Sequence, residues 1–176
     1  MYYVLAIDPG VRNIGLCLSD QNENILEWFT ESLVPDSIKD VRKLPLNVLS
    51  KYTHKWYKKR CKIFEKAHTI LIEHQMKDRY ILLEGILLGL AGKKGKVLMP
   101  AVYKRKLGLC RGSWALNKKA VVRWCKEEAS GGFPSGLKKS QKLDDLADTR
   151  AMVHYWIHYE LGQKEETKRK RKRKGK

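Results

Sequence analysis

The sequence predicts an α/β fold, a mixed β-sheet with helices packed on it. The first observation is the order βββαβαβαα, in which short β-rich apolar runs precede and separate segments with helical periodicity. The second is length, because 176 residues suffice for one compact domain and are short for two. We therefore expect one domain over residues 1–160 and a basic, disordered tail over residues 161–176.

The first three strands are predicted to form an antiparallel meander. Residues 2–7 and 14–18 are apolar runs, and the Pro9-Gly10 turn between them is typical of a hairpin. Residues 24–33 form the next strand of the same meander. The strands that come later in the chain are expected to add parallel pairing to it.

A long helix is predicted over residues 45–67, with Pro45 in its first turn. Apolar residues at three- and four-residue steps give it a core stripe. Six lysines lie opposite that stripe, within an arc of about 100°: Lys51, Lys55, Lys58, Lys59, Lys62 and Lys66. A solvated helix face usually carries both charge signs, whereas this face is almost entirely positive. We expect it to bind DNA phosphates, and an ordinary solvated face is the alternative.

The remaining elements alternate in type. In chain order they are a strand over residues 68–75, an apolar helix over 79–92, a short strand over 97–101, a helix over 117–129, a glycine-rich loop over 130–141 and a final helix over 142–160. Asn117 is the expected N-cap of the fourth of these elements.

The net charge of +18 indicates a polyanionic partner. The last nine residues contain eight Lys or Arg and no acid, so the rest of the chain keeps about +10. The basic character therefore belongs to the predicted domain as well as to the tail. Nucleic acid is the favoured partner, and a role of the charge in solubility alone is the alternative.

Cysteine spacing and hydropathy narrow the setting in which the chain works. Four cysteines are scattered without a CxxC pair, which argues against a disulfide framework or a cysteine zinc site and favours a reducing compartment. The N-terminus lacks the basic segment of a signal peptide, and the longest apolar run is too short to span a bilayer. We expect a soluble intracellular protein that does not bind a membrane.

Acidic residues mark the ends of predicted strands and the start of the last helix. Asp8 ends the first strand, Glu73 ends a later one, and Asp145 and Asp148 lie one helical turn apart, with Asp144 at i, i+4 from Asp148. Like charges at such offsets repel. A divalent cation would remove the penalty, and carboxylate oxygens suit Mg²⁺ or Mn²⁺.

Each acid also has a simpler interpretation. Asp8 before Pro-Gly fits an Asx turn, Glu73 fits a solvated strand end, and Asp144 and Asp145 fit the positive end of a helix. His74 beside Glu73 is interpreted as structural, because alternation along a strand directs it to the opposite face. Together, however, the acids would place two metal ions about 4 Å apart, as in-line phosphodiester hydrolysis requires.

Three segments resemble the successive acidic motifs of the RuvC-type Holliday junction resolvases, which belong to the ribonuclease H-like superfamily. They are LAIDPGVRNIGLCLSD, ILIEHQMKDR and DDLADTRAM. The closest resemblance is to the poxvirus Holliday junction resolvases, over about residues 2–158. It implies a ribonuclease H-like nuclease domain, with a three-stranded antiparallel meander and parallel strands flanked by helices.

The resemblance assigns the catalytic, metal-binding acids to Asp8, Glu73, Asp145 and Asp148, which would hold two Mg²⁺ ions, with Mn²⁺ as a substitute. The choice of Asp145 over its neighbour Asp144 stays open.

The family also uses a basic catalytic residue. Lys118, at the start of a predicted helix, is preferred over Lys119 and Lys104, and a surface or phosphate-contact role for Lys118 is the alternative.

The implied activity is a structure-selective DNA endonuclease that resolves four-way junctions by paired symmetric nicks, in DNA recombination and repair and in the processing of viral genome concatemers. Symmetric nicks imply a homodimer, for which the apolar helix over residues 80–91 is the candidate interface, with a core position as the equal alternative. Other activities left open are cleavage of RNA–DNA hybrids or other branched DNA, and binding without catalysis. The expected location is the host cytoplasm, and the basic tail leaves the nucleus open.

Overall fold

A mixed sheet of five strands in the order β3-β2-β1-β4-β5 organises the molecule. The structure, a computed structural model, describes residues 1–127, 133 and 142–162. Most of the predicted glycine-rich loop and all but the first two residues of the predicted tail lie outside the described residues. The division into a domain and a tail therefore remains a prediction.

The strands follow the predicted order. They are β1 (Tyr3–Asp8), β2 (Ile14–Asp20), β3 (Ile25–Glu31), β4 (Thr69–Glu73) and β5 (Gly95–Leu98). β2 pairs antiparallel with β1 and β3, while β4 pairs parallel with β1 and β5 pairs parallel with β4. The predicted meander with added parallel strands is confirmed.

Helices cover both faces of this sheet. They are α1 (Leu46–Lys66), α2 (Asp78–Ala91), α3 (Pro100–Lys106), α4 (Trp114–Glu127) and α5 (Leu143–Tyr155), which continues as a π-helical segment over Trp156–Leu161. None of the described helices is long and apolar enough to cross a membrane.

Alternation along the strands builds two cores. In β1, Val4 and Ala6 belong to the core beneath α4 and α5, whereas Leu5 and Ile7 belong to the core beneath α1 and α2. A sheet buried on both faces explains why β1 and β4 read as continuous apolar runs rather than as alternating ones.

Two predicted elements need correction. The segment predicted as a strand over residues 97–101 is divided, because β5 ends at Leu98 and Pro100 begins α3 in the first helical turn, where its missing N–H costs nothing. The next helix begins at Trp114, so Asn117 is not its N-cap. The Asn117 Oδ1 instead accepts the backbone N–H of Arg111 at 2.6 Å.

The apolar helix predicted over residues 79–92 is α2, and one side of it lies in the core. Leu83, Leu87 and Ala91 are buried, while Ile81 keeps 45% of its surface exposed. The core alternative therefore accounts for Leu83 and Leu87, two of the five leucines of α2, and Leu88 packs against the same core. A subunit interface on the exposed side of α2 remains a prediction.

Candidate active site

The four predicted acids converge at one edge of the sheet. Because β1 and β4 are parallel neighbours, their C-terminal residues Asp8 and Glu73 lie at the same edge. α5 crosses that edge and adds Asp145 and Asp148, and all four side chains line a single cleft of about 900 Å³. The packing of α5 on β1 and β2 thus brings Asp148 to Asp8, although 140 residues separate them in sequence.

Two small-scale features bring the chain into this arrangement. A Cβ on Gly10 would lie 2.1 Å from the backbone oxygen of Asn13, so the turn after Asp8 requires glycine. A Cβ on Gly15 would lie 3.0 Å from the backbone oxygen of Asp145, so α5 packs directly on the backbone of β2. The Trp28 indole N–H, which donates to the Leu146 oxygen at 3.0 Å, fixes the same turn of α5.

Tyr103, which is buried, and Lys104, both on α3, contact Glu73 from β4 and Asp148 from α5. The Tyr103 hydroxyl lies 2.7 Å from Glu73 Oε1 and 3.0 Å from Asp148 Oδ1, so its one proton serves either carboxylate. Lys104 Nζ lies 2.7 Å from Asp148 Oδ1 and 3.8 Å from Glu73 Oε1. These contacts hold Glu73 and Asp148 side by side, although the residues come from β4 and α5.

Burial makes full ionisation of this cluster costly. Desolvation at the floor of the cleft raises the pKa of Asp8 well above its usual value, and the charges of Glu73 and Asp148 raise it further. Burial, followed by the charge of Glu73, likewise raises the pKa of Asp148, even though Lys104 opposes the shift. Burial together with the charge of Asp144 raises the pKa of Asp145 to about 6.

Divalent cations fit this set of side chains. Several carboxylates in a partly dry cleft repel one another, and a cation at the same place would favour their ionised form. Their oxygens do not form a closed cage: within the described part of the chain, they supply no group of three whose ligand atoms all lie within 4.8 Å of one another. Mg²⁺ needs no such cage, because it keeps several waters and uses one or two carboxylates together with phosphate oxygens.

A comparison with protein families assigns the chain. The family model described as "Poxvirus A22 protein" matches residues 2–160, nearly the whole of the predicted domain. The chain belongs to this family. The resemblance to the RuvC-type poxvirus Holliday junction resolvases, predicted from the three acidic motifs, is thereby confirmed.

Solved structures share the fold of this A22 family member. The yeast mitochondrial Holliday junction resolvase Ydc2 matches with a TM-score of 0.60 and 21% identity, covering 88% of this chain and 78% of the other. Thermus thermophilus RuvC in complex with a Holliday junction substrate matches with a TM-score of 0.52 and 18% identity, covering 88% and 94%. A second structure of Thermus thermophilus RuvC matches with a TM-score of 0.57 and 17% identity, covering 87% of this chain and 94% of the other.

The TM-scores of 0.52–0.60 show that these chains share one fold, and the predicted ribonuclease H-like fold is confirmed. No curated protein matches the chain.

The two adjacent acids of the A22 family chain differ in their surroundings. Asp144 Oδ2 forms an ion pair with Lys118 Nζ, whereas Asp145 faces the cleft with the other acids. Burial would raise the pKa of Asp144, but the hydrogen bond and charge of Lys118 outweigh it and lower that pKa. This pairing leaves Asp145 as the better-placed metal ligand, a role that stays a prediction.

The three candidate lysines lie in different places. Lys118 lines the acidic cleft and its Nζ also lies 4.5 Å from the ring centre of Trp114. Lys119 lies instead in a neighbouring depression with Arg111 and Arg123. Lys104, with only 13% of its side chain exposed, makes direct contact with Asp148. Proximity to the acids therefore favours Lys104 as strongly as Lys118.

Other predicted residues have plain positions. The six lysines of α1 are all exposed, on the side of the helix opposite its buried residues: Lys51, Lys55, Lys58, Lys59, Lys62 and Lys66. His74 lines the same cleft as Glu73, and its Nδ1 lies 3.3 Å from Glu84 Oε2 on α2, so its interpretation as structural stays a prediction.

Sequence reasoning missed Tyr103, because the short helix that carries it was not predicted. It also missed the contacts of Glu23 with Arg150, His154 and His158, which lie at least 127 residues apart from it in sequence.

Proposed function

We propose that this chain is a divalent-metal-dependent endonuclease that resolves four-way DNA junctions by paired, symmetric nicks. The observation that carries the proposal is the convergence of Asp8, Glu73, Asp145 and Asp148 in one cleft of a strongly basic chain. Membership of the A22 family and the fold shared with Ydc2 and RuvC, two proteins described with Holliday junctions, support the choice of substrate.

The four acids would hold two Mg²⁺ ions, which when bound supply an activated water and stabilise the leaving oxygen of an in-line displacement. The residues of the chain position this chemistry. Tyr103 donates to Glu73 or Asp148 and keeps their carboxylates in register, so the two ligands do not rotate away from each other. Gly10, which also lines the cleft, allows the tight turn after Asp8, because a Cβ there would meet the backbone oxygen of Asn13.

Lys104 is proposed to neutralise charge in both states of the site. Burial would lower its pKa, but the charges of Asp148 and Glu73 outweigh burial and raise it, so the ammonium form persists at neutral pH. In the metal-free chain this ammonium offsets the charge of Asp148. A metal ion held by Asp148 would take over this role, and the Lys104 ammonium would then serve for contact with the scissile phosphate. Lys118 is the alternative for this role.

The DNA arms are proposed to lie on the lysine face of α1, where contacts to phosphates give affinity without reading sequence. Paired nicks need two active sites, so a homodimer is proposed, with the exposed side of α2 at its interface. Cytoplasmic viral replication sites are the proposed location, with the nucleus as the alternative.

The test offers purified chain equal amounts of a four-way junction and an RNA–DNA hybrid in Mg²⁺, and maps the cut positions. We expect paired cuts at symmetric positions in opposing junction strands, and no product in chelator. Preferential cleavage of the hybrid would overturn the resolvase proposal. Asp8→Asn and Asp148→Asn are expected to abolish nicking and to keep junction binding in a gel-shift assay, and full activity in either variant would remove that acid from the mechanism.

The two lysines are separated by Lys104→Met and Lys118→Met, which keep the side-chain stem and remove the charge. The lysine that contacts the scissile phosphate is expected to lose about 100-fold in single-turnover rate, on the scale of general electrostatic stabilisation. The other substitution is expected to change the rate by less than tenfold. Equal, small effects in both variants would exclude both lysines from the reaction.

A further inference from the structure

A second cluster of potential ligands lies away from the acidic cleft and joins the β2–β3 turn to the end of α5. It consists of Glu23 from the turn and of His154 and His158 from the helix. Among the residues that the structure describes, these three form the one group of His, Cys, Asp or Glu side chains whose ligand atoms all lie within 4.8 Å of one another.

The two imidazoles converge on a single atom. His154 Nδ1 lies 2.9 Å from Glu23 Oε1, and His158 Nε2 contacts the same oxygen. The spacing i, i+4 places both rings on one side of the helix, with centroids 4.3 Å apart. The helix changes to π-helical geometry at Trp156, between the two histidines, and such segments are frequent at functional sites.

The turn that carries Glu23 is held in place independently of the histidines. Glu23 has φ +66°, in the left-handed region that residues other than glycine seldom adopt. Asp20 fixes the turn by accepting the backbone N–H groups of Asn22 and Asn24 at 2.8 and 3.0 Å and the Asn24 side-chain amide at 2.9 Å. The carboxylate is therefore presented to the helix by a rigid loop.

Neighbouring side chains orient the cluster. The guanidinium of the fully buried Arg150 binds Glu23 Oε2, which leaves Oε1 directed at the imidazoles. Trp124 packs edge-on against His154 at 5.2 Å between ring centroids. Outer contacts of this kind, which fix the orientation of each ligand, are a regular part of metal sites in proteins.

We propose that Glu23, His154 and His158 form a binding site for a transition-metal ion of the Zn²⁺ class. Two imidazole nitrogens and one carboxylate oxygen are a ligand set that suits Zn²⁺, whereas Mg²⁺ prefers oxygen ligands alone. Two ligand atoms about 2.0–2.2 Å from a tetrahedral ion lie roughly 3.4 Å from each other, so the three groups need to move slightly apart to admit the ion. His158, with 51% of its side chain exposed, leaves a path for the ion and a position for water.

The position of the site gives it a structural role. α5 carries Asp145 and Asp148 at its start and His154 near its end, so about 9 Å of helix separates Asp148 from His154 at 1.5 Å per residue. A metal ion there would tie this helix to the turn that joins β2 to β3. The site would thus fix the helix that carries two of the cleft acids without taking part in the reaction itself.

The test uses the full chain, stripped of metal by a chelator and then kept in excess Mg²⁺ so that the acidic cleft is saturated. Co²⁺ serves as the spectroscopic probe and Zn²⁺ as the calorimetric one. We expect calorimetry to show that one equivalent of Zn²⁺ binds, and Zn²⁺ to raise the Tm of the chain. Bound Co²⁺ is expected to absorb visible light as an ion does when nitrogen and oxygen ligands coordinate it with low symmetry. His154→Ala and His158→Ala are expected to weaken binding at least tenfold and to remove the rise in Tm.

Two variants serve as controls. His54→Ala removes an exposed histidine on α1, and Asp148→Asn changes the acidic cleft, so both are expected to bind Zn²⁺ like the wild type. The proposal is overturned if the wild type binds no Zn²⁺ under these conditions, or if His158→Ala binds it with unchanged affinity. Loss of binding in Asp148→Asn with retention in His158→Ala would place the ion in the cleft and overturn it equally.

Discussion

Asp144 and Asp145, adjacent acids in the first turn of α5, are expected to have opposite effects on stability when each is changed to Asn. The pKa of Asp145 is raised from its usual value of 3.8 to about 6 by burial and by the charge of Asp144. That of Asp144 is lowered by Lys118, which outweighs its burial. Ionisation of Asp145 in the folded chain therefore costs free energy, whereas ionisation of Asp144 is favoured.

The size of the effect at Asp145 follows from the rise of its pKa from 3.8 to about 6. At about 1.4 kcal/mol per unit, ionisation of the folded chain costs about 3 kcal/mol at neutral pH. Asn avoids this cost but loses a favourable charge near the helix N-terminus, worth about 0.3–1 kcal/mol. A net gain of about 2 kcal/mol corresponds to a rise in Tm of roughly 4–8 °C for a chain of this size.

The sign also fixes the pH dependence. A carboxylate whose folded pKa is raised contributes stability that is fully present below the unfolded pKa and is lost as pH rises through the folded value. The advantage of Asp145→Asn in chelator is therefore expected at pH 7.5 and absent below about pH 4. Asp144 has the opposite sign, because its stabilisation is present at neutral pH and is lost as pH falls through its lowered pKa. Asp144→Asn is expected to reduce Tm at pH 7.5.

The assay is thermal unfolding of wild type and both variants, in chelator and in Mg²⁺. Mg²⁺ is expected to raise the Tm of the wild type and of Asp144→Asn, and to have much less effect on Asp145→Asn if Asp145 is a ligand. A fall in the Tm of Asp145→Asn in chelator at pH 7.5, similar to that of Asp144→Asn, would refute the reasoning.

Three further changes test the positions of other residues. Gly15→Ala is expected to displace α5 from β2 and to lower the free energy of unfolding, measured in urea, by about 1–3 kcal/mol. Gly85→Ala on α2 is the control, because a Cβ there would meet nothing within 4 Å, and it is expected to be neutral or stabilising. Tyr103→Phe removes only the hydroxyl that contacts Glu73 and Asp148, so the Mg²⁺ concentration for half-maximal nicking is expected to rise on the order of tenfold. Tyr2→Phe removes a hydroxyl bonded to Thr69 and is expected to leave that concentration unchanged. Lys58→Gln on the lysine face of α1 is expected to reduce the slope of log K for junction binding against log salt concentration by about one. An unchanged slope would show that this face does not contact the DNA.

The fold was largely predictable because its signals are local. The meander is encoded by apolar runs and the Pro9-Gly10 turn, and α1 by a long periodic stripe. α3 escaped prediction because seven residues are too few for helical periodicity, and it follows an apolar strand with no intervening polar break. Its Pro100 was a usable signal, since proline ends a strand and suits the first turn of a helix.

The candidate site was predictable by residue type but not by pairing. That Asp8, Glu73 and Asp148 belong together follows from strand ends and helix starts. That Asp144 is neutralised by Lys118, while Asp145 faces the cleft, depends on a contact between α4 and α5 that no local pattern encodes. The contacts of Glu23 with the histidines likewise join distant parts of the chain, so no local pattern predicts them. Cysteine spacing gives no information on a site built from His and Glu.

The acidic cleft and the basic surface have complementary electrostatic roles in the proposed function. Buried carboxylates with raised pKa values are costly in the unliganded chain, and Lys104 and Lys118 offset part of that cost with contacts to Asp148 and Asp144. A phosphodiester backbone attracted to a chain of net charge +18 would meet the carboxylates of Asp8, Glu73, Asp145 and Asp148 in the cleft. Because phosphate and carboxylate repel, a divalent cation between them would favour contact there. The charge pattern of this chain therefore supports the proposed metal dependence separately from any resemblance to other nucleases.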